Sequence, residues 1–107
     1  MEQLNRVELR GIVGNVNATK VGELTAVRFS VATDYAYKSK DGMSVVETTW
    51  HNCTAWSDKC PSATELKRSD GVRLTGRLRM NRFVGTDGTE RTSTEIFVNS
   101  LEILSNR

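Results

Sequence analysis

The residues with most chemical content in this sequence are flat rings and guanidinium groups. In Glu47 to Trp56 the even positions hold Thr48, Trp50, Asn52, Thr54 and Trp56, while the odd positions hold Thr49, His51, Cys53 and Ala55. An extended chain alternates its faces residue by residue, so the two indoles share a side, separated by about 20 Å at a rise of about 3.3 Å per residue. That is too far for mutual contact and suits separate ligand units. Downstream, Lys67 to Arg91 holds seven basic side chains (Lys67, Arg68, Arg73, Arg77, Arg79, Arg82, Arg91) against three acidic ones (Asp70, Asp87, Glu90). Arg73, Arg77 and Arg79 share a strand parity with Phe83. A guanidinium stays protonated and forks onto phosphate oxygens, so this face suits a polyanion better than a carboxylate metabolite. Tyr35, Tyr37, Lys38 and Lys40 precede Asp41-Gly42, the composition of a basic, aromatic hairpin tip. Cations for a backbone and rings for unstacked bases are together what a single-stranded nucleic acid requires, each stack being worth about 1–3 kcal/mol whatever the base.

Each feature has a competing structural reading: the tryptophans as core, the arginines as a solvated outer face, the tyrosines as hairpin decoration. Asn52 and Thr54 between the indoles, with Cys53 and Ala55 opposite them, favour exposed rings over a tight, small-residue interior. His51, Cys53 and Cys60 raise two further chemistries. A structural zinc site wants four ligands, and the nearest additional donor, Asp58, comes without supporting spacing, so no metal or other cofactor is expected. A Cys-His nucleophile fails because alternate residues on one strand point the same way without necessarily meeting, and Cys53 faces the core. Gly85 and Gly88 lack the lysine and helix of a phosphate loop. The chain therefore reads as a binding protein and not as an enzyme.

The elements that must position these groups are strands. Arg6 to Val16 alternates until its phase slips around Gly11, which predicts a bulge or bend there. Thr25 to Thr33 puts Val27, Phe29 and Val31 on one side, and Glu47 to Trp56 follows as the third strand. Ser57 to Ser69, with Ser57 and Ser62 as possible N-caps and Pro61 in a first turn, predicts one short helix. Gly71 to Phe83 places Val72, Leu74, Leu78 and Met80 on its inner side with a bend at Gly76, and Arg91 to Asn99 turns Ile96 and Val98 inward. The order β-β-β-α-β-β is an all-β fold with one short helix and suits the five-stranded, Greek-key OB-fold barrel. At 107 residues, 37% hydrophobic and 26% charged, the chain makes one domain over 1–107. Fifteen Lys+Arg against 13 Asp+Glu leave only +2, so the distribution of charge matters more than its sum. Two cysteines are too few for a disulfide scaffold, and no apolar run or secretory start is present, which predicts a cytoplasmic protein with reduced thiols.

In this order and spacing, Asn5-Arg6-Val7-Glu8-Leu9-Arg10-Gly11, Phe29-Ser30-Val31-Ala32-Thr33, Thr49-Trp50-His51, Gly71-Val72-Arg73-Leu74-Thr75-Gly76-Arg77-Leu78-Arg79 and Thr92-Ser93-Thr94-Glu95-Ile96-Phe97-Val98 resemble the bacterial single-stranded DNA-binding proteins, over roughly Leu4 to Leu104. The resemblance implies an OB-fold that assembles as a homotetramer, or as related dimers, and coats single-stranded DNA in replication, recombination and repair. It places base-stacking rings at Tyr37, Trp50, Trp56 and Phe83, and puts His51 near a subunit interface. Arg73, Arg77, Arg79, Lys38 and Lys40 are then the phosphate contacts. Tyr37 and Phe83 stand where the family more often has tryptophan. The family also usually continues into a flexible linker and an acidic, Pro-Phe-ended tip that recruits other enzymes, whereas this sequence ends Glu102-Ile103-Leu104-Ser105-Asn106-Arg107, so recruitment by such a tail is not expected. Two alternatives stay open. One is an accessory domain like primosomal replication protein N; the other is a protein-binding OB scaffold using Trp50 and Trp56 as anchors.

Overall fold

Five strands form where the alternating segments lie: β1 Val7–Val21, β2 Leu24–Lys38, β3 Ser44–Trp56, β4 Gly71–Val84 and β5 Glu90–Ser105. The structure is a computed structural model that describes residues 1–105, so the last two residues of the domain expected over 1–107 lie outside the described residues. The strands close in the order β1-β2-β3-β5-β4, with β4 paired back onto β1. Every pairing is antiparallel except β3 with β5, which run parallel through Cys53↔Ile96 and Thr54↔Phe97. This is the five-stranded barrel of the OB-fold.

The interior follows the parity of the sequence. Val27, Phe29 and Val31 of β2 meet Cys53 and Ala55 of β3, Val72 and Leu74 of β4, and Ile96 and Val98 of β5, all buried. Branched and small side chains, with Phe29 among them, fill a barrel whose strands turn sharply, since a narrow interior leaves little room for large ones. Close crossing also explains two glycines. A Cβ at Gly11 would stand 2.2 Å from the Ala32 carbonyl oxygen, and one at Gly76 would stand 2.2 Å from that of Phe97.

The structure departs from the sequence reading in four places. The phase slip of β1 falls between Val13 and Val16, not at Gly11, whose role is close approach. The expected helix over Ser57–Ser69 is only a five-residue 3-10 helix, Pro61–Glu65, with Pro61 in its first turn. Both proposed caps make tertiary bonds instead: the Thr25 N–H donates to Ser57 Oγ at 2.9 Å, and Ser62 Oγ donates to the Leu101 carbonyl at 3.2 Å. Extended backbone at Leu66 then ends the helix. The hairpin tip, expected from composition to span Tyr35 to Ser44, is shorter, because β2 and β3 stay paired out to Lys38↔Ser44 and Gly42, at φ 83°, turns the chain. Finally, Leu78 and Met80 are 48% and 70% exposed, because beyond Gly76 β4 and β5 leave the barrel together as a two-stranded arm.

Gly76→Ala is expected to destabilise the fold by about 1–3 kcal/mol or more, since the added methyl meets backbone that cannot step aside. An unchanged midpoint in urea denaturation would show that the two strands can part there at no cost. Burial, with the Glu95 charge adding to it, pushes the Cys53 thiol up to about 12. The unfolded chain ionises this thiol near the ordinary cysteine value while the folded chain keeps its proton, so unfolding is favoured as pH rises between those limits. Stability is expected to be complete below about pH 8.5 and to fall toward pH 12, and Cys53→Ala should remove that share of the alkaline loss, measured by denaturant titration at stepped pH.

Candidate nucleic-acid interface

On β3 the side opposite the core carries Trp50, Asn52, Thr54 and Trp56, matched across the pairing with β2 by Ala32, Ser30, Arg28 and Ala26. Trp50 is 58% exposed. Its indole lies across Gly14 of β1, where a Cβ would stand 2.5 Å from the indole Cζ3 and 2.7 Å from Ser30 Oγ. The missing side chain makes the shelf on which the ring rests. Ser30 Oγ is itself fixed, accepting the Asn15 N–H at 3.0 Å. Trp56, at the end of the same face, is half-buried, and its carbonyl accepts the Lys59 and Cys60 N–H groups that begin the next turn.

The second wall comes from the β4–β5 arm. Register pairs Arg77↔Phe97, Arg79↔Glu95, Asn81↔Ser93 and Phe83↔Arg91 put these residues on one side of the arm. The parallel contact with β3 lays Phe97 beside Thr54. Two depressions result. One, of about 520 Å³, is bounded by Asn15, Asn17 and Arg28 on the barrel and by Asn81, Phe83 and Glu95 on the arm. The other, of about 200 Å³, lies between Trp50 and Leu78. Asn52 and Glu95 line both, so the depressions are parts of one groove.

Its electrostatics are set around one ring. Arg77, Arg79 and Lys59 lie 5.0, 5.9 and 5.6 Å from the Phe97 centroid, positions where the ring face attracts cations. None of the three has an ion-pair partner among the described residues. The basic run is otherwise largely neutralised: Arg73 is held by Glu102 at 3.0 Å, Arg82 by Glu90 at 3.7 Å and Arg91 by Asp87 at 3.1 Å. Glu95 is the acidic exception inside the groove. Its Oε2 accepts from Thr54 Oγ1 and its Oε1 from Asn81 Nδ2, both at 2.8 Å.

The structure thus brings together Trp50, Phe83, Arg77 and Arg79 of the expected set, with Trp56 at one end. Arg73 sits apart, beside Glu8 on the stretch of β4 paired with β1. Lys38 and Lys40 are exposed at the far end of the β2–β3 arm. Tyr37 is 40% exposed and lies 6.0 Å from Tyr35, ring centre to ring centre. Both tyrosines take the core parity of β2, opposite to that of Trp50. His51 is half-buried with its Nε2 2.8 Å from Thr33 Oγ1. Cys53 remains a protonated thiol at neutral pH, the wrong state for a nucleophile. Among the described residues no three His, Cys, Asp or Glu side chains gather as a metal would need. Sequence reasoning missed Lys59, Glu95 and Phe97 and did not single out Arg28 as a contact. Arg28 and Phe97 carried a usable signal, since both fall on the outward parity of strands whose inward residues were correctly assigned.

The pattern of the Single-strand binding protein family matches residues 4–104. A "Single-stranded DNA-binding protein" of Neisseria meningitidis serogroup B is 35% identical over 108 residues, covering 97% of this chain and 62% of the relative. One from Xanthomonas axonopodis pv. citri is 33% identical over 107 residues, covering 97% and 59%. The chain therefore spans about three fifths of the length of these relatives. Among solved structures, the Plasmodium falciparum SSB complex with ssDNA superposes with a TM-score of 0.84 at 20% identity, covering 98% of each chain. A deletion mutant of the single-stranded DNA binding protein from Thermus aquaticus does so at 0.77 and 17% identity, covering 97% of this chain and 52% of that one. With residues 4–104 matched by the family pattern, this chain belongs to the single-strand binding protein family.

Proposed function

We propose that the chain binds single-stranded DNA in the groove between β3 and the β4–β5 arm. The observation that carries this reading is the pairing of exposed rings, Trp50 and Phe83, with three cations that have no carboxylate partner among the described residues, Lys59, Arg77 and Arg79. Unstacked bases lie on the rings and phosphates on the cations, neither of which depends on base identity. Trp56 offers a smaller surface because it is half-buried. Lys38 and Lys40 extend the contact along the β2–β3 arm for a strand that continues past Trp50, and Tyr37, on the opposite side of that arm, is met by a strand that rounds its edge. Arg73 contributes less, being already engaged by Glu102. The similarity to relatives named single-stranded DNA-binding proteins supports this reading. On the same ground we extend the reading to the coating and protection of exposed strands in replication, recombination and repair, to a cytoplasmic location, and to self-assembly as a homotetramer or dimer through a surface that includes His51. The role is binding without catalysis.

Titrating an oligo(dT) against tryptophan fluorescence tests the groove. Trp50→Ala is expected to lose about 1–3 kcal/mol of affinity with the fold intact, because one stacking platform is removed. Full affinity in a folded variant would place the strand elsewhere. Each phosphate neutralised contributes about −0.7 to the slope of log K against log salt. Arg77→Ala and Arg79→Ala should therefore each flatten the slope by about that amount, and Arg73→Ala by much less. Equal slopes for all three and the wild type would remove the Phe97 cations from the interface.

A further inference from the structure

A carboxylate set among phosphate-binding cations opposes the ligand, so Glu95 requires a reason. It is paired across the arm with Arg79 and lines both depressions. It does not neutralise that cation: the Arg79 guanidinium lies on Phe97, and no ion pair joins the two among the described residues. Both carboxylate oxygens are engaged by neutral donors instead, Oε2 by the Thr54 hydroxyl of β3 and Oε1 by the Asn81 amide of β4, each at 2.8 Å. A carboxylate accepts on both oxygens, so one side chain on β5 joins the strands on either side of it. Thr54 is 8% exposed, and its hydroxyl has little water to turn to when that bond is lost. Backbone pairing between β3 and β5 is confined to Cys53↔Ile96 and Thr54↔Phe97. Ahead of that contact, the Thr54–Glu95 bond is the side-chain hydrogen bond that joins the arm to β3 among the described residues.

We propose that Glu95 is a positioning residue, a strap that holds the β4–β5 arm to β3 and so fixes the separation of the two stacking walls. This inference rests on the reading of the groove as a single-strand site. Trp50 stands on β3 ahead of Thr54, and Phe83 stands on β4 beyond Asn81, each on the same side of its strand as its neighbour in the strap. The strap therefore runs between the elements that carry the rings. A two-stranded arm is weakly stable by itself, and without a tie it swings about its root at the barrel. A ligand that must touch both rings then binds only those molecules whose walls stand at the right separation, and apparent affinity falls in proportion to that fraction. Charge acts in the opposite sense, because the carboxylate repels a phosphate at Arg79. Glutamine separates the two effects: its carbonyl accepts from Asn81 and its amide donates to the Thr54 hydroxyl, a group that both gives and takes hydrogen bonds. Alanine removes the bonds and the charge together.

The experiment measures affinity for a labelled oligo(dT) of one length at one salt concentration, with folding checked by thermal melting. Glu95→Gln should bind more tightly than the wild type, and Glu95→Ala about tenfold more weakly than Glu95→Gln, the scale of one hydrogen bond to a charged group. Equal gains in the two variants would mean that charge alone matters, and overturn the proposal. Thr54→Val breaks the tie from the barrel side and leaves every charge in place. It should cause a loss of similar size in the wild type and none in Glu95→Ala, while Thr54→Ser, which returns the hydroxyl, should recover most of it. A loss from Thr54→Val as large in Glu95→Ala as in the wild type overturns the strap, since a merely structural role of Thr54 would act in both. Should Glu95→Ala fail to fold, the two Thr54 variants decide: wild-type affinity in the valine variant, or an equal loss in both, overturns the proposal, and a loss with valine that serine recovers supports it. Binding that Trp50→Ala leaves undiminished, or no binding by the wild type at low salt, is a different result, because it overturns the groove reading itself.

Discussion

The short parallel contact between β3 and β5 is the constraint on which the remainder depends. It consists of Cys53↔Ile96 and Thr54↔Phe97, and it closes the barrel. Cys53 and Ile96 take the inner side of that contact, buried at 2% and 4% exposure, while Thr54 and Phe97 take the outer side. On either side of it β3 and β5 diverge. The divergence ahead of it opens both the depression beside Trp50 and the one beneath Phe83, which share Asn52 and Glu95. A longer parallel ladder would fill both with paired backbone. The same contact brings Glu95 within reach of Thr54, linking the arm to the barrel by side chains where backbone pairing has ceased.

Closure at this diameter forces close backbone crossings, and glycine marks them. Gly11 and Gly76 let neighbouring strands approach within a distance that any Cβ would block, whereas Gly14 leaves space that the Trp50 indole occupies. The first two serve the barrel and the third serves the surface. At the other edge Asn5 secures the N-terminal approach to β4, donating from Nδ2 to the Leu78 carbonyl at 2.8 Å and accepting the Leu78 N–H at 2.9 Å. That bond lies where β4 leaves the barrel, and it satisfies backbone groups that the curved sheet leaves unpaired.

How much of this was legible in the sequence follows from which interactions are local. Alternation located the barrel parts of all five strands and put Val27, Phe29, Val31, Ile96 and Val98 inside, because burial of one side of a strand is written in consecutive residues. The same rule failed for Leu78 and Met80, since parity tells which side a residue faces and not where the barrel stops covering it. Ser57 and Ser62 were misread for a related reason: their hydroxyls bond to Thr25 and Leu101, partners that no local window contains. The tryptophans of β3 could be placed by spacing, and exposure of Trp50 agrees. Glu95 could not, because its position in the groove depends on a parallel register between strands separated by the whole of β4.

Net charge and local charge runs were weaker guides than geometry. The excess of cations between Lys67 and Arg91 reads as one basic face, yet Arg73, Arg82 and Arg91 each meet a carboxylate. Exposed pairs of this kind contribute little to stability, but they lower the charge available to a ligand. Arg77 and Arg79 escape because the residue nearest each across the outer face is an aromatic ring or a carboxylate already bonded to neutral donors. A ring orients a guanidinium without neutralising it, so a protein of net charge +2 can still present a concentrated positive patch. Phe97 therefore matters to phosphate affinity through the cations it gathers.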